Sequence, residues 1–533
     1  MNSLIINELN RIVNTFTWEG LKFVVTKSPN PEFGDFSSNV ALVSTKFSKC
    51  SPMETANMII KKFNKEKTLV EKIELVSPGF INFYLVDEYY TSIVKQVIKS
   101  DVNYGKDKSD LHYNLEFVSA NPTGFLHVAH ARGAALGDSL ANTLNHTGVK
   151  VTREYYINDA GSQINMLAYA CYVRYQQSWG VEIDLPEESY HGQDITWCAQ
   201  QIRNEINDKW LDKGYSTIEE EVKDISVKIM LAKIKDDMKL MNVEFEIFFS
   251  EKSLYAGTII PDKLKTINGV IIRDGATWLN TTNYGDDKDR VLIKQDGSYT
   301  YFLPDIIYHN IKISRDKNIS KLINIWGADH SGYIKRMEIA MELMGHPNQL
   351  EIIVLQLVKL LRNGEELKMS KRKGTSLYLS ELVNQVGIDT TRFFLVNRSQ
   401  NSQIDFDLDL ASLKTNDNPV FIVQYSYART QQLMNKSEVK DLNKFEKVES
   451  SEKELIGMLE NFPNLLKQIS ENNKVHLLPR YLIALAKEFN SFYSNCKIIG
   501  NIRERDLLTL VKACGIVIKL GLSLLGVSSP ERM

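Results

Sequence analysis

A chain of 533 residues is long enough for three or four domains with separate cores. Its 43% hydrophobic and 24% charged residues are those of a soluble globular protein. A formal charge of −2 offers no general basic field, so any nucleic-acid contact must come from local patches.

The five cysteines (Cys50, Cys171, Cys198, Cys496, Cys514) form no CxxC pair, which leaves zinc and redox centres without a signature. They read as reduced, mostly buried thiols of a cytoplasmic protein. Met1–Phe16 reads as an amphipathic helix with no signal-peptide core. The apolar stretch Cys514–Val527 is interrupted by Lys519, Gly521 and Gly526 and is too short for a membrane span, so no membrane partner is expected.

Residues 1 to about 105 predict an α+β module. Helical patterns at Met1–Phe16 and Pro52–Asn64 flank a turn-rich Pro29–Asp35, and two strands, Ile73–Val76 and Phe80–Leu85, are joined by Ser77-Pro78-Gly79. Asp101–Asp110 is polar and reads as a linker. Asn114–Val118 then predicts a buried strand, Ala131–Asn145 a helix with small residues at Ala134, Gly137 and Ala141, and Val149–Tyr155 the next strand. Gly148 suits the left-handed position that ends a helix. Strand, loop, helix and strand make a βαβ unit, whose loop and helix N-terminus lie at the carboxyl edge of a parallel sheet. That edge favours anionic phosphate, through free N–H groups and the helix dipole. Within the loop, His127 and His130 fall on one face of the first helical turn. By itself such a pair is more often structural than catalytic.

From about 170 to 270 the βα alternation is interrupted by mostly helical text, including Glu219–Met241, with strand-like Gly269–Asn280 and Arg290–Thr300 after it. Tyr301, Asp305 and His309 stand at i, i+4 and i+8, one face of a helix if Pro304 lies in its first turn. Ile323–Trp326 predicts a strand running into Gly327-Ala328-Asp329-His330. Val354–Arg362 and Glu365–Met369 are joined by Asn363-Gly364, a type I′ hairpin signal. That hairpin delivers Lys368-Met369-Ser370-Lys371-Arg372, with Gly374 beyond. From about Asp405 the pattern is helical: Asn418–Asn435, Ser451–Glu471, Pro479–Asn495 and Glu504–Leu525. Residues 401–533 carry 17 Lys and Arg against 16 Asp and Glu, so an RNA-binding face there would be a patch.

A histidine tetrad, His127 to His130, followed downstream by a KMSKS-like loop resembles the class I aminoacyl-tRNA synthetases. The flanking text, SANPTGFLHVAHARGAALGDSLAN and REYYINDAGSQI, resembles the arginyl-tRNA synthetase family specifically. So do FGDFSSNVAL and VSPGFINFYL near the start, the segment Val420–Arg429, and the end, Leu524–Val527 and Pro530–Met533. The resemblance implies three parts. Residues 1–105 would be an accessory domain that contacts the tRNA elbow. Residues 106–404 would be a Rossmann-type catalytic domain, interrupted by the insertion and carrying the loop 368–375. Residues 405–533 would be an all-α anticodon-binding bundle.

It also implies roles. His127, His130, Lys368 and Lys371 would act on the phosphates. Ala129, Gly327, Asp329, His330, Met369 and Ser370 would complete the ATP site. Glu116, Ser119, Asn121, Tyr301, Asp305 and Asp329 would line the arginine pocket, and Tyr425 and Arg429 would meet tRNA. A guanidinium is a planar fork of donors that carboxylates satisfy bidentately, which suits Glu116 and Asp305. The partners implied are arginine, ATP with Mg²⁺ and tRNA(Arg), for a monomer without a structural metal and without the signature of an editing domain. Arginine activation would require bound tRNA. One departure stands out: Ala129 occupies the third tetrad position, usually glycine. A synthetase for another amino acid and a non-catalytic RNA-binding relative are the competing readings. The carboxylate set argues against the first, and the intact phosphate residues against the second.

Overall fold

The computed structural model describes residues 2–28, 31–367 and 377–533. The chain forms two compact units, and both draw on the C-terminal helices. One comprises Met1–Tyr104, Arg429–Phe462 and Lys487–Val517. Its sheet has four antiparallel strands in the order Val25–Lys27, Phe36–Ser38, Phe80–Leu85, Val70–Val76. The last two make the expected hairpin. Helix Pro52–Lys62 starts where Ser51 accepts the Glu54 N–H and Glu54 bonds back to the Ser51 N–H, with proline at the first helical position. Lys453 pairs with Asp35 at 3.1 Å, tying the bundle portion of this unit to the strand loop.

The other unit comprises Gly105–Ala428, Pro463–Ala486 and Ile518–Met533. Its first elements are β1 (His112–Glu116), α1 (Val128–His146) and β2 (Lys150–Ile157), the predicted βαβ unit with its strands parallel and adjacent. Gly148 has φ +90°, as its place after the helix requires. The small residues of α1 let it lie close to the sheet: a Cβ on Gly137 would stand 2.3 Å from the Phe117 ring. Three helices follow, α2 (Ser162–Ser178), α3 (Gln193–Ile206) and α4 (Tyr215–Leu240), sharing a core of their own around Trp210. The span expected to be purely insertion also contains β3 (Ile247–Ser250), which pairs parallel to β2 and extends the main sheet. At four residues it is too short for its period to register among the helices.

The strand-like text beyond it becomes a small antiparallel sheet of β4 (Val270–Arg273), β5 (Ala276–Leu279) and β6 (Arg290–Ile293). The chain then returns through α5 (Phe302–Arg315), β7 (Ile319–Gly327), α6 (Ile334–Leu343) and β8 (Leu350–Leu355). The main sheet runs β8-β7-β1-β2-β3, all parallel. Its order reverses between β1 and β7, so the crevice past their carboxyl ends is the ligand-binding position of an open parallel sheet.

The strand expected over Val354–Arg362 is broken at Gln356. β9 (Val358–Arg362) leaves for a separate sheet with β10 (Glu365–Glu366) and β11 (Ile404–Asp407). Asn363 and Gly364 both have positive φ, +53° and +75°, as a type I′ turn demands.

Buried Arg392 ties this unit together. It donates to Leu525 O at 2.7 Å, to Met241 O at 2.5 Å and to Asp138 Oδ2 of α1 at 2.6 Å. Helix Glu504–Leu524 is long and apolar enough to cross a membrane, but 78% of that window is buried inside the protein, as in a core helix.

Candidate active site

The site is built on the loop from β1 to α1. Val118 and Ser119 take positive φ, +68° and +37°, unusual for a β-branched residue and for serine. The loop is held there by bonds to β1, β2 and α2. Ser119 Oγ donates to Glu116 Oε1 at 3.0 Å and accepts the Tyr156 N–H at 3.1 Å. Tyr155 OH donates to Ala120 O at 2.8 Å, and the Asn121 amide donates to Gln163 at 2.7 Å. His127 is the N-cap of α1, and its N–H donates to His130 Nδ1 at 3.2 Å, with the two rings 4.0 Å apart. Both imidazoles therefore stand at the positive end of a 19-residue helix, a place suited to phosphate. Ala129, between them, is exposed.

Across the reversal point, Gly327 opens a short turn, and Asp329 and His330 are exposed with 3.6 Å between them. Lys368, Met369, Ser370, Lys371 and Gly374 lie outside the described residues.

The pocket side is acidic. α5 begins at Phe302, which puts Pro304 in its first turn as the sequence required, and puts Asp305 one position further. Burial is the main force raising the Asp305 carboxyl to about 7; nearby Glu251 and Glu116 push the same way, while a 2.9 Å bond from Tyr333 OH opposes them. Burial also raises Glu251, against bonds from Tyr255 and Tyr156. Neither carboxyl has an ion-pair partner among the described residues. Glu116 does: the fully buried Lys312 ammonium donates to it at 2.7 Å. Lys312 also donates to Asn324, whose amide donates at 2.8 Å to His309 Nε2, while His309 Nδ1 donates to Asp305 O at 2.7 Å. Burial, with Lys312 adding to it, lowers His309 to about 3, so its imidazole is neutral and this relay is a fixed scaffold. Behind it, Glu154 takes a bidentate bond from Arg315 at 2.8 and 3.0 Å.

The residues expected for arginine differ in their surroundings. Asp305 lies on α5, bonded by Tyr333 OH and near Glu251 and Glu116. Tyr301 precedes the helix and is 83% exposed, because the chain turns into α5 only at Phe302. Glu116 is already engaged by an internal cation. Glu251 and Lys312 were missed, although Lys312 left a signal: Asp305, Tyr308, His309 and Lys312 stand at i, i+3, i+4 and i+7, a polar stripe on one face of an otherwise apolar helix. Glu251 directly follows β3, at the carboxyl edge where sites of this sheet type lie. Among the described residues, no group of three His, Cys, Asp or Glu side chains is placed to hold a metal ion.

The tRNA candidates lie on helix Pro419–Lys436. Tyr425 is half-buried and stacks on Phe421 at 5.7 Å. Arg429 lies over the Tyr493 ring at 4.4 Å and donates to Asn490 at 2.8 Å.

Comparison with known proteins decides the family. The model of the class I (R) tRNA synthetase catalytic domain matches residues 53–413. The arginyl tRNA synthetase N-terminal domain matches 1–85, and the DALR anticodon binding domain matches 423–533. The chain belongs to the arginyl-tRNA synthetase family. It is 50% identical over 508 residues to an arginine–tRNA ligase of Mycoplasma mobile, covering 94% of each chain. It is 43% identical over 518 residues to one of Mesomycoplasma hyopneumoniae, covering 96% of each. The fold matches the Thermus thermophilus arginyl-tRNA synthetase over all of both chains, with a TM-score of 0.74 at 19% identity. Class I membership accounts for the parallel sheet and for the position of the histidine helix at its carboxyl edge.

Proposed function

We propose that this arginine–tRNA ligase works at the β1/β7 crevice with the following division of roles. The arginine α-carboxylate attacks the α-phosphate of ATP, forming arginyl-adenylate and releasing pyrophosphate. A terminal ribose hydroxyl of tRNA(Arg) then attacks the arginyl carbonyl, and AMP leaves. His127 and His130, at the positive end of α1, bind the triphosphate of ATP·Mg²⁺, and Lys371, aided by Lys368, neutralises charge on the departing pyrophosphate. Ala129, Gly327, Asp329, His330, Met369 and Ser370 complete the nucleotide site. Positioning and charge stabilisation suffice, so no covalent nucleophile is required.

The observation that carries the arginine assignment is the pair of buried carboxyls, Asp305 and Glu251, lacking a cation partner among the described residues. Buried carboxylates of this kind call for a cation, and a guanidinium fits two of them with its fork. Asp305 is the direct partner, Glu251 stands beside it, and Glu116 forms the wall with its charge held by Lys312. Ser119, Asn121 and Asp329 border the amino-acid end, and Tyr301 the entrance. Tyr425 and Arg429 contact tRNA, with Tyr493 stacked beneath Arg429. In this reading the enzyme is a cytoplasmic monomer, and amino-acid activation requires bound tRNA.

The test is ATP–pyrophosphate exchange with each amino acid, with and without tRNA. Exchange is expected with arginine alone and only when tRNA is present. Exchange with another amino acid would overturn the pocket assignment. Tight tRNA binding without any exchange would favour a binding protein.

A further inference from the structure

The loop that delivers His127 is gripped by residues distant in sequence. Asp194, near the start of α3, occupies the space a side chain at Gly124 would need: a Cβ there would come within 2.4 Å of Asp194 Oδ2. The same carboxylate oxygen accepts the Phe125 N–H at 3.3 Å. Almost a turn further along α3, Trp197 meets the Phe125 ring edge-on, at 5.2 Å and 68°. Tyr378 meets that ring too, at 5.2 Å and 78°. From α4, the Lys233 ammonium lies 5.4 Å over it. The backbones are joined as well. The Leu379 N–H donates to Leu126 O at 2.8 Å, and His127 pairs with Tyr378 as an isolated antiparallel bridge.

Three separate elements thus converge on one residue, two positions before the first histidine. Leu126 between them is buried, so a shift of Phe125 carries into His127. The loop begins from the strained backbone of Val118 and Ser119 and needs restraint at its far end also. Phe125, Trp197 and Tyr378 are each only half-buried, and their edge-on geometry gives direction that plain burial would not. Asp305 and Glu251 belong to other elements, and Ser119 and Asn121 stand at the opposite end of the loop from Phe125, so restraint at Phe125 acts first on His127 and the nucleotide.

We propose that Trp197, acting through Phe125 with Asp194 and Tyr378, is a positioning residue for nucleotide activation: the helical insertion holds the Phe125–His127 backbone where His127 meets the triphosphate. The proposal rests on the reading that His127 binds phosphate, and its test separates the two. ATP–pyrophosphate exchange is measured with tRNA for Trp197→Ala, Trp197→Phe and His127→Ala. In Trp197→Ala, kcat falls about 10- to 100-fold, the scale on which small misplacements act. The KM for arginine stays within about twofold of wild type, and Trp197→Phe, which restores an aromatic edge, recovers most of the rate. An unchanged kcat in Trp197→Ala, or an arginine KM rising in step with the loss, overturns the proposal. A silent His127→Ala overturns the phosphate reading beneath it, whereas a disabling His127→Ala beside a silent Trp197→Ala overturns the positioning role alone. A second measurement does not depend on the alanine variant folding. ATP titrated into the intact enzyme should change tryptophan fluorescence, and Trp197→Phe, removing one of six tryptophans, should lose that change. An identical response in both proteins counts against the proposal.

Discussion

Arginine binding should expel a proton from the enzyme. The Asp305 carboxyl is raised from 3.8 to about 7, chiefly by burial, then by Glu251 and Glu116. At pH 7 about half of the free enzyme therefore carries a proton on Asp305, and at pH 6 about nine-tenths does. A guanidinium favours the ionised carboxylate and lowers its pKa, so binding releases the proton still held. The sign follows: arginine affinity is full above about pH 7 and weakens up to about tenfold per unit as pH falls below it. For stability the sign is the usual one for a raised acid. The folded state holds more protons than the unfolded state between 3.8 and about 7, so this group's contribution decreases as pH rises through that window. The assay is calorimetric titration of arginine into the tRNA-bound enzyme without ATP, in two buffers of different ionisation enthalpy at pH 6, 7 and 8. Proton release of about 0.9, 0.5 and 0.1 per arginine is expected, and it should vanish in Asp305→Asn. No release at any pH, with tight binding throughout, would refute the reasoning that an uncompensated buried carboxyl receives the substrate.

The paired carboxylates should separate on mutation. Glu116→Gln strands the Lys312 ammonium and should cost about 3–5 kcal/mol of stability in a thermal melt, whereas Asp305→Asn should melt near wild type while arginine kcat/KM falls about 10²- to 10³-fold. A Glu116→Gln melt like wild type would mean the ion pair is not what holds that wall. Replacing Lys371 by Ala should slow adenylate formation by about 10²–10³, and unchanged pyrophosphate exchange would remove that loop from the mechanism. Because Ala129 is exposed and not packed into the core, Ala129→Gly should change the ATP KM by less than about tenfold; a larger gain would mean the methyl obstructs the nucleotide.

Much of the fold could be read from periodicity and turn chemistry because those signals are local. Gly148, Asn363-Gly364 and the small residues of α1 each serve a backbone need within a few residues, and the structure uses them as expected. The breaks come where tertiary context decides. β3 is a strand because β2 lies beside it, and four residues after a long helix carry too little pattern to say so. Gln356 ends one strand because the chain changes sheets there, which no residue-level signal records. At the site, the place of Asp305 on α5 was legible, whereas the exposure of Tyr301 was not, since a one-residue difference in where a helix starts changes which way a flanking side chain stands. The Glu116–Lys312 pair spans 196 residues, and its lysine looks like surface in any window that omits its partner. The same holds for Trp197 and Phe125, 72 positions apart in sequence and joined only by the fold.

Lys312 changes what the pocket can ask of its substrate. Glu116 and Glu251 both lie close enough to Asp305 to raise its carboxyl further. Were all three ionised and unpaired, the cost of burying like charges would force protons onto them. The internal ammonium settles one, fixing Glu116 as a charged but occupied wall. What remains is a pair of carboxyls both raised chiefly by burial, with no cation partner among the described residues. A guanidinium delivers one positive charge and a planar set of donors, enough to ionise Asp305 and still bond to its neighbour. Lysine would bring the charge as a compact ammonium without the fork, and citrulline would bring the shape without the charge. Each would leave part of the carboxyl pair desolvated and unmatched, a penalty that polar sites turn into discrimination of about 10⁴ or more. On this argument selectivity for arginine comes less from the number of acidic residues than from how many the protein has already neutralised itself.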